Sequence, residues 1–319
     1  MGAVLSGFSV IWIIIAVGYL LGRFRVLGTE SRIVLSRVVF FVASPCLLFV
    51  TISASDVGDV LGPAFLIAGI TAFSMLIVYM LLGRLLLRRR RFSELMVGGQ
   101  SASQVNAANL GFPIAAYVLG DVSLAAPVLM FQLALYLPLL VATLDQSTAR
   151  DHDAGSAPSS RAPVGRRIAQ TAGNPVIIGA LLGLLFSWQQ WSFPEPIHNS
   201  IEILSGAAIP LLLLSFGLSL VGNRPLDKSS GQRRDVLLAV IVKLILHPLL
   251  AWVVAALLFG LEGLALYAAV VMASLPTAQN VLVTAVRYQT GEAMVRDTVL
   301  ITTVLAIPAM VVVALLLGV

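Results

Sequence analysis

The chain has 319 residues, of which 59% are hydrophobic and 11% charged, and its mean hydropathy is +0.98. That balance excludes an ordinary soluble domain and describes a polytopic membrane protein. The net charge of +5 would suit a nucleic-acid binder, but the placement of the basic residues argues for membrane topology instead; Cys46 is the single cysteine, which excludes an intrachain disulfide.

The first apolar stretch has no basic leader and no small-residue cleavage site, and Arg23 and Arg25 follow it. It reads as a transmembrane helix rather than a removed signal peptide. Ten apolar stretches are long enough to cross hydrocarbon, near 3–21, 32–52, 61–87, 94–119, 122–143, 167–188, 197–220, 236–260, 262–287 and 295–318. Of the 20 basic residues, 19 flank or lie in alternate loops, including the run Arg88 to Arg91, and the loops between carry Asp56, Asp59, Asp121, Glu195 and Glu262 without a cation. The basic loops are then cytoplasmic and both termini extracytoplasmic, in a cell (plasma or inner) membrane. The expected fold class is an all-α polytopic membrane protein.

The fourth and ninth stretches are interrupted. The fourth carries Gln100, Ser103, Gln104, Asn106 and Asn109, then Gly111-Phe-Pro113; the ninth carries Ser274-Leu-Pro276-Thr-Ala-Gln279-Asn280. Proline lacks an N–H and clashes with the preceding turn, and glycine tolerates unusual backbone angles. Unwinding is therefore expected around 109–113, with a new half-helix starting at Pro113, and again at Pro276. Backbone polar groups freed inside a membrane persist only within protein or along a wet cavity. Freed N–H groups favour an anion, and freed carbonyls a cation or a donor. Substrate-binding candidates are Asn109, Gly111, Pro113, Pro276, Gln279 and Asn280, with Gln104, Asn106, Gln132, Lys243 and His247 as secondary candidates. The competing reading for polar residues here is plain helix–helix hydrogen bonding, which is favoured for Ser101 and Ser103.

Three proline pairs recur in register: Pro45 and Pro210 are 165 residues apart, Pro113 and Pro276 are 163 apart, and Pro138 and Pro308 are 170 apart. Each pair occupies the same-numbered stretch of its half. The expected organisation is a five-helix repeat over 1–143, a flexible cytoplasmic linker over 144–166 and a second five-helix repeat over 167–319. Five is odd, so the second repeat is inverted, and helices 4 and 9 should meet and cross at their breaks.

Lys243 is the one basic residue well inside a span, with His247 one turn further on the same face. Two readings stand: it snorkels to the interface, or it partners an anion or the backbone of a broken helix. The spans carry no carboxylate near their middle, so coupling through one is poorly supported. No metal or nucleophile motif appears, so neither an enzyme nor a cofactor is expected.

The chain resembles the auxin efflux carrier family over essentially its whole length. The likeness rests on Asn109-Leu-Gly-Phe-Pro113, Asn174-Pro-Val-Ile-Ile-Gly-Ala-Leu-Leu-Gly183, Ile209-Pro-Leu-Leu-Leu-Leu-Ser-Phe-Gly-Leu-Ser219 and Ser274-Leu-Pro-Thr-Ala-Gln-Asn280. The resemblance implies the fold of the bile-acid, arsenite and riboflavin-type transporter superfamily, with a substrate site at the crossover of helices 4 and 9. It implies a homodimer whose helices 1, 2, 6 and 7 form a scaffold, while helices 3–5 and 8–10 move as a transport domain. It also implies small organic anions, such as dicarboxylates or indole-3-acetate, as substrates. The short central loop is similar to that of bacterial members. A sodium- or proton-coupled symporter or exchanger of the same architecture is the alternative.

Overall fold

The computed structural model describes residues 2–28, 30–55, 58, 61–87, 90–152, 173–221 and 232–317. All regular structure in them is helical, apart from one isolated bridge between Val105 and Thr277. Twelve helical segments follow one another: α1 (Gly2–Arg23), α2 (Ser31–Ser53), α3 (Pro63–Leu86), α4 (Phe92–Ser103), α5 (Ala107–Leu119), α6 (122–152), α7 (Pro175–Gln189), α8 (Glu195–Ser219), α9 (Arg233–Leu258), α10 (Gly263–Ala273), α11 (Asn280–Arg287) and α12 (Glu292–Leu317). Seven helices, α1, α2, α3, α6, α8, α9 and α12, are long and apolar enough to cross a membrane, while α5, α7 and α10 are shorter apolar helices. The shortfall from ten long spans has local causes. The fourth and ninth stretches are each divided, and the helix of the sixth starts only at Pro175, after the Asn174 cap.

Proline shapes these helices in one recurrent way. A five-residue π-helical turn ends two residues before Pro45, Pro113, Pro138 and Pro248: Val39–Ala43, Ala107–Gly111, Gln132–Tyr136 and Val242–Leu246. Widening the turn relieves the clash between the proline ring and the carbonyl behind it, so the helix continues. This corrects the unwinding expected around 109–113. Asn109 and Gly111 lie in a π turn and Pro113 lies in the α-turn that follows, so no half-helix starts at that proline. The chain leaves helical geometry earlier, at Gln104–Asn106. Helix α6 runs on to His152, into the segment expected as a linker over 144–166; the rest of that segment, with Arg88 and Arg89, lies outside the described residues.

The chain divides into two compact units. The first comprises residues 1–66, 107–130 and 169–223. Its main packing pairs are α1 with α8 and α2 with α7. Both pairs depend on small residues. Gly18 and Gly22 of α1 lie against Leu214, Leu218 and Val221 of α8 and its end, and Gly179 and Gly183 of α7 lie against Pro45, Phe49 and Ile52 of α2. A Cβ on Gly18 or Gly179 would strike the backbone of the facing helix. Helices in lipid associate through such close backbone approach. The start of α7 is set locally: the Asn174 side chain accepts from the Val176 N–H at 2.9 Å, and Pro175 takes the first position, where no N–H is needed.

The second unit comprises residues 67–106, 131–168 and 224–319. Here α4 is buried along its length against α9, α11 and α12. The Tyr79 ring of α3 packs where a Cβ on Gly98 of α4 would be. Phe73, Phe131 and Tyr136 form an aromatic cluster with centroids 5.4 to 5.8 Å apart. At the start of α4, Arg90 bonds Asp235 at 2.8 Å and lies 3.9 Å from Glu94. The Asp235 hydrogen bond holds the Arg90 guanidinium above its ordinary pKa.

Replacing Gly18 or Gly179 with alanine forces the facing backbones apart. Each change is expected to cost about 1–3 kcal/mol and to lower the unfolding midpoint of the detergent-solubilised protein, read from tryptophan fluorescence. The same change at Gly120 is no packing control, because its φ of 80° strains any side chain. Gly206, where a Cβ would meet nothing, is the proper control and should be nearly silent.

Candidate functional site

The candidate site is built where the second unit's helices stop. Helix α4 ends at Ser103, and α10 ends at Ala273. Each ending frees backbone carbonyls and N–H groups that water cannot reach. The two non-helical stretches satisfy one another. The Asn106 N–H donates to the Pro276 carbonyl at 2.9 Å, and the Ala278 N–H donates to the Gln104 carbonyl at 3.1 Å, closing the antiparallel bridge. Pro276 contributes only an acceptor to this pairing, so its missing N–H leaves no orphan donor. The Gln132 side chain donates to the Val105 carbonyl at 3.0 Å, so this candidate pins the interruption from α6.

Thr277 ties the pairing to its surroundings. Its hydroxyl donates to the Ser101 carbonyl at 2.6 Å, and its N–H donates to the Thr302 hydroxyl at 3.1 Å. Thr302 in turn donates to the Thr298 carbonyl at 2.7 Å. All three threonines are buried. Ser103 donates or accepts with the buried Tyr136 hydroxyl.

A line of amides runs beside the pairing. Gln100 Nε2 donates to Gln104 Oε1 at 2.8 Å, and Gln104 Nε2 donates to Asn280 Oδ1 at 3.1 Å. Gln100 and Gln104 are fully buried, whereas Asn280, the first residue of α11, is exposed. Accepting through Oδ1 leaves the Asn280 amide nitrogen uncommitted by this bond and able to donate. A neutral donor held in this way suits an anionic oxygen.

The Lys243 side chain is fully buried. Its partners are the Ser103 carbonyl at 3.4 Å and His247 Nδ1 at 3.0 Å. His247 Nε2 meets the Thr71 hydroxyl at 3.2 Å. This corrects the snorkelling reading: the side chain turns into the second unit, toward the end of α4, rather than out along the helix surface.

The second unit thus gathers Gln104, Asn106, Gln132, Lys243, His247, Pro276 and Asn280, with Gln279 immediately before α11. Asn109, Gly111 and Pro113 belong to the first unit, with Gly111 and Pro113 buried and Asn109 half-buried. The sequence reading missed Thr71, Thr277, Thr298 and Thr302. Thr71 carries no local signal, because a threonine bonding back to its own helix looks the same in any apolar span. Thr277 had one: it follows a mid-span proline, where its N–H needs a partner outside the helix. Two buried carboxylates, Asp235 and Asp297, were passed over because they stand near helix starts, paired with Arg90 and Arg296.

These features define an all-helical, multi-pass membrane protein with a polar seam buried in an apolar bundle. A family model described as "Membrane transport protein" matches residues 8–314, and the chain belongs to that family, the auxin efflux carrier type. A "Putative malonate transporter" of Rhizobium meliloti is 27% identical over 308 residues, covering 96% of this chain and 92% of that one. An "Uncharacterized transporter" of Methanothermobacter thermautotrophicus is 29% identical, covering 96% of each chain. The "Auxin efflux carrier component 6" of Arabidopsis thaliana is 30% identical over 159 residues, 49% of this chain and 27% of that one. The family and these relatives are transporters, and the protein is a transporter rather than an enzyme.

Thr277→Val removes the Thr277 hydroxyl that donates to the buried Ser101 carbonyl while keeping the side-chain volume. Leaving a buried acceptor unpaired costs about 1–3 kcal/mol. The thermal midpoint should fall, and Thr277→Ser, which keeps the hydroxyl, should restore most of it.

Proposed function

We propose that the protein is a secondary carrier of a small organic anion, a carboxylate, working by alternating access of the elevator type. The observation that carries this reading is the exposed residue Asn280, bonded through its side chain to the buried Gln100–Gln104 line beside two mutually paired helix interruptions. Transport families place substrates at paired interruptions of this kind. The name of the Rhizobium meliloti relative points to a dicarboxylate as the first probe. Pro276, Gln279 and Asn280 are the proposed substrate residues of the second unit, with Gln104, Asn106 and Gln132 as their supports. The proposal extends to Asn109, Gly111 and Pro113 of the first unit.

The wider architecture belongs to the same proposal: ten membrane passages in two inverted repeats, helices 4 and 9 crossing at their breaks, both termini outside the cytoplasm and a homodimer in the cell membrane. Two features support the repeat. Gly18 of the first helix and Gly183 of the sixth are 165 residues apart, the same offset as Pro45 and Pro210. The pairs α1–α8 and α7–α2 also exchange roles under that offset, as an inverted repeat requires. Helices 1, 2, 6 and 7 are the proposed scaffold, and the remainder the moving part.

Proteoliposomes loaded with protein should take up labelled malonate, with mono- and dicarboxylates as competitors. Losing a hydrogen bond to a charged group costs about 1.5–3 kcal/mol, so Asn280→Ala should raise the half-saturating malonate concentration roughly 10- to 150-fold. Asn109→Ala tests the first-unit part separately. Unchanged transport in both variants would sink the site assignment. Running the assay with and without sodium and pH gradients separates a uniporter from the coupled alternative.

A further inference from the structure

We propose that Lys243 and His247 together hold one exchangeable proton, which binds and leaves with the anion, so that the carrier is proton-coupled and independent of sodium. This rests on the carrier reading above and names its coupling ion and the residues that hold it.

The hydrogen-bond directions show how many protons the pair can hold. The single Thr71 hydroxyl proton is committed to its own helix, to the Ile67 carbonyl at 2.8 Å. Thr71 can therefore only accept from His247, and the Nε2 nitrogen must carry a proton. In neutral His247, Nδ1 then bears the lone pair and accepts from the Lys243 ammonium at 3.0 Å. Were Nδ1 also protonated, Lys243 would have to be the neutral amine to accept from it. Either way, one proton lies between the two nitrogens, and the pair carries at most one positive charge.

That charge has no carboxylate partner among the described residues. None of the described ionisable groups on the surrounding elements forms an ion pair with Lys243. Asp235, near the start of α9, is eight residues before Lys243, about 12 Å along the helix, and is bonded to Arg90 with Glu94 beside it. Arg233 and Arg234 lie at that same end of α9, and Glu94 is nine residues before Ser103, about 14 Å along α4. On α12, Asp297 bonds Arg296 at 3.0 Å, and Glu292 lies a turn earlier. Tyr79 and Arg84 on α3, Tyr136 and Asp145 on α6 and Tyr267 on α10 complete the set; Tyr136 bonds Ser103, and Asp145 accepts from Tyr288 at 2.5 Å.

The pair is nonetheless at the substrate region. The Ser103 carbonyl that receives Lys243 ends α4, and the next residue, Gln104, bonds Asn280. A helix C-terminus attracts positive charge but does not neutralise it. A buried charge without a counter-ion is expensive, and an arriving carboxylate would supply one. Proton and anion then favour each other reciprocally: H⁺ from water adds to the amine as the anion binds and returns to water as it leaves. Among the described residues, the Ser101 and Ser103 carbonyls at the end of α4 already receive donors, from Thr277 and Lys243, which makes them weaker ligands for sodium.

The chain has two lysines, Lys228 and Lys243. Full-length Lys228→Arg protein labelled with ¹⁵Nζ-lysine and set in lipid nanodiscs therefore gives a single lysine signal. The expected result is an amine signal at the alkaline end of a titration over about pH 5–9, converted to ammonium by adding malonate at constant pH. An ammonium signal throughout, with or without malonate, would overturn the proposal. In vesicles with the membrane potential clamped at zero and no sodium, a one-unit inward proton gradient should drive malonate accumulation towards about tenfold. Lys243→Gln should abolish that response, and His247→Gln should weaken it if the lysine variant fails to fold. Malonate flux that ignores the pH gradient overturns the coupling and leaves the carrier reading standing. No malonate flux at all counts against the carrier reading for this probe, and the titration by pH alone still decides the proton site.

Discussion

Every backbone N–H and C=O inside an apolar bundle must find a partner within the protein, and this one requirement organises the second unit. A helix meets it by itself; an interrupted helix cannot. Residues 104–106 and 276–278 meet it only together, through the Val105–Thr277 bridge and its two hydrogen bonds. Neither interruption would be tolerable alone at that depth. The polar side chains around them, Thr277, Gln132 and Lys243, serve the same end by donating to freed carbonyls.

Two responses to proline stand out among the described residues. Before Pro45, Pro113, Pro138 and Pro248 a π turn absorbs the missing N–H and the ring clash, and the helix runs on. At Pro276 the helix stops, and the proline carbonyl is used by another segment. The difference lies in what surrounds the residue. Where apolar neighbours offer no partner, a local widening keeps the ladder intact. Where Asn106 presents its N–H, leaving the helix costs little.

The seam that results is rich in donors held by neutral groups. The amide line from Gln100 to Asn280 ends on an exposed residue, and Lys243 of the lysine–histidine pair meets the adjoining Ser103 carbonyl. A membrane transporter needs polar groups that are rigid but not permanently charged, since a fixed unpaired charge would be costly to keep in hydrocarbon. Amides, hydroxyls and one shared proton meet that need.

Composition and periodicity were enough to read the all-helical, multi-pass class, because hydrocarbon thickness dictates long apolar stretches and few charges. The motifs Asn109-Leu-Gly-Phe-Pro113 and Ser274-Leu-Pro-Thr-Ala-Gln-Asn280 were enough to read the family. The interruption at Pro276 was legible too, since proline, polarity and burial coincide there. Its partner was misplaced toward Pro113, because the sequence marks where a helix is stressed but not whether a π turn can absorb the stress. The roles of Thr71 and Lys243 were decided by tertiary structure alone. A hydroxyl or an ammonium has several acceptors open to it along its own helix, and only the packing of neighbouring helices determines which of them it meets.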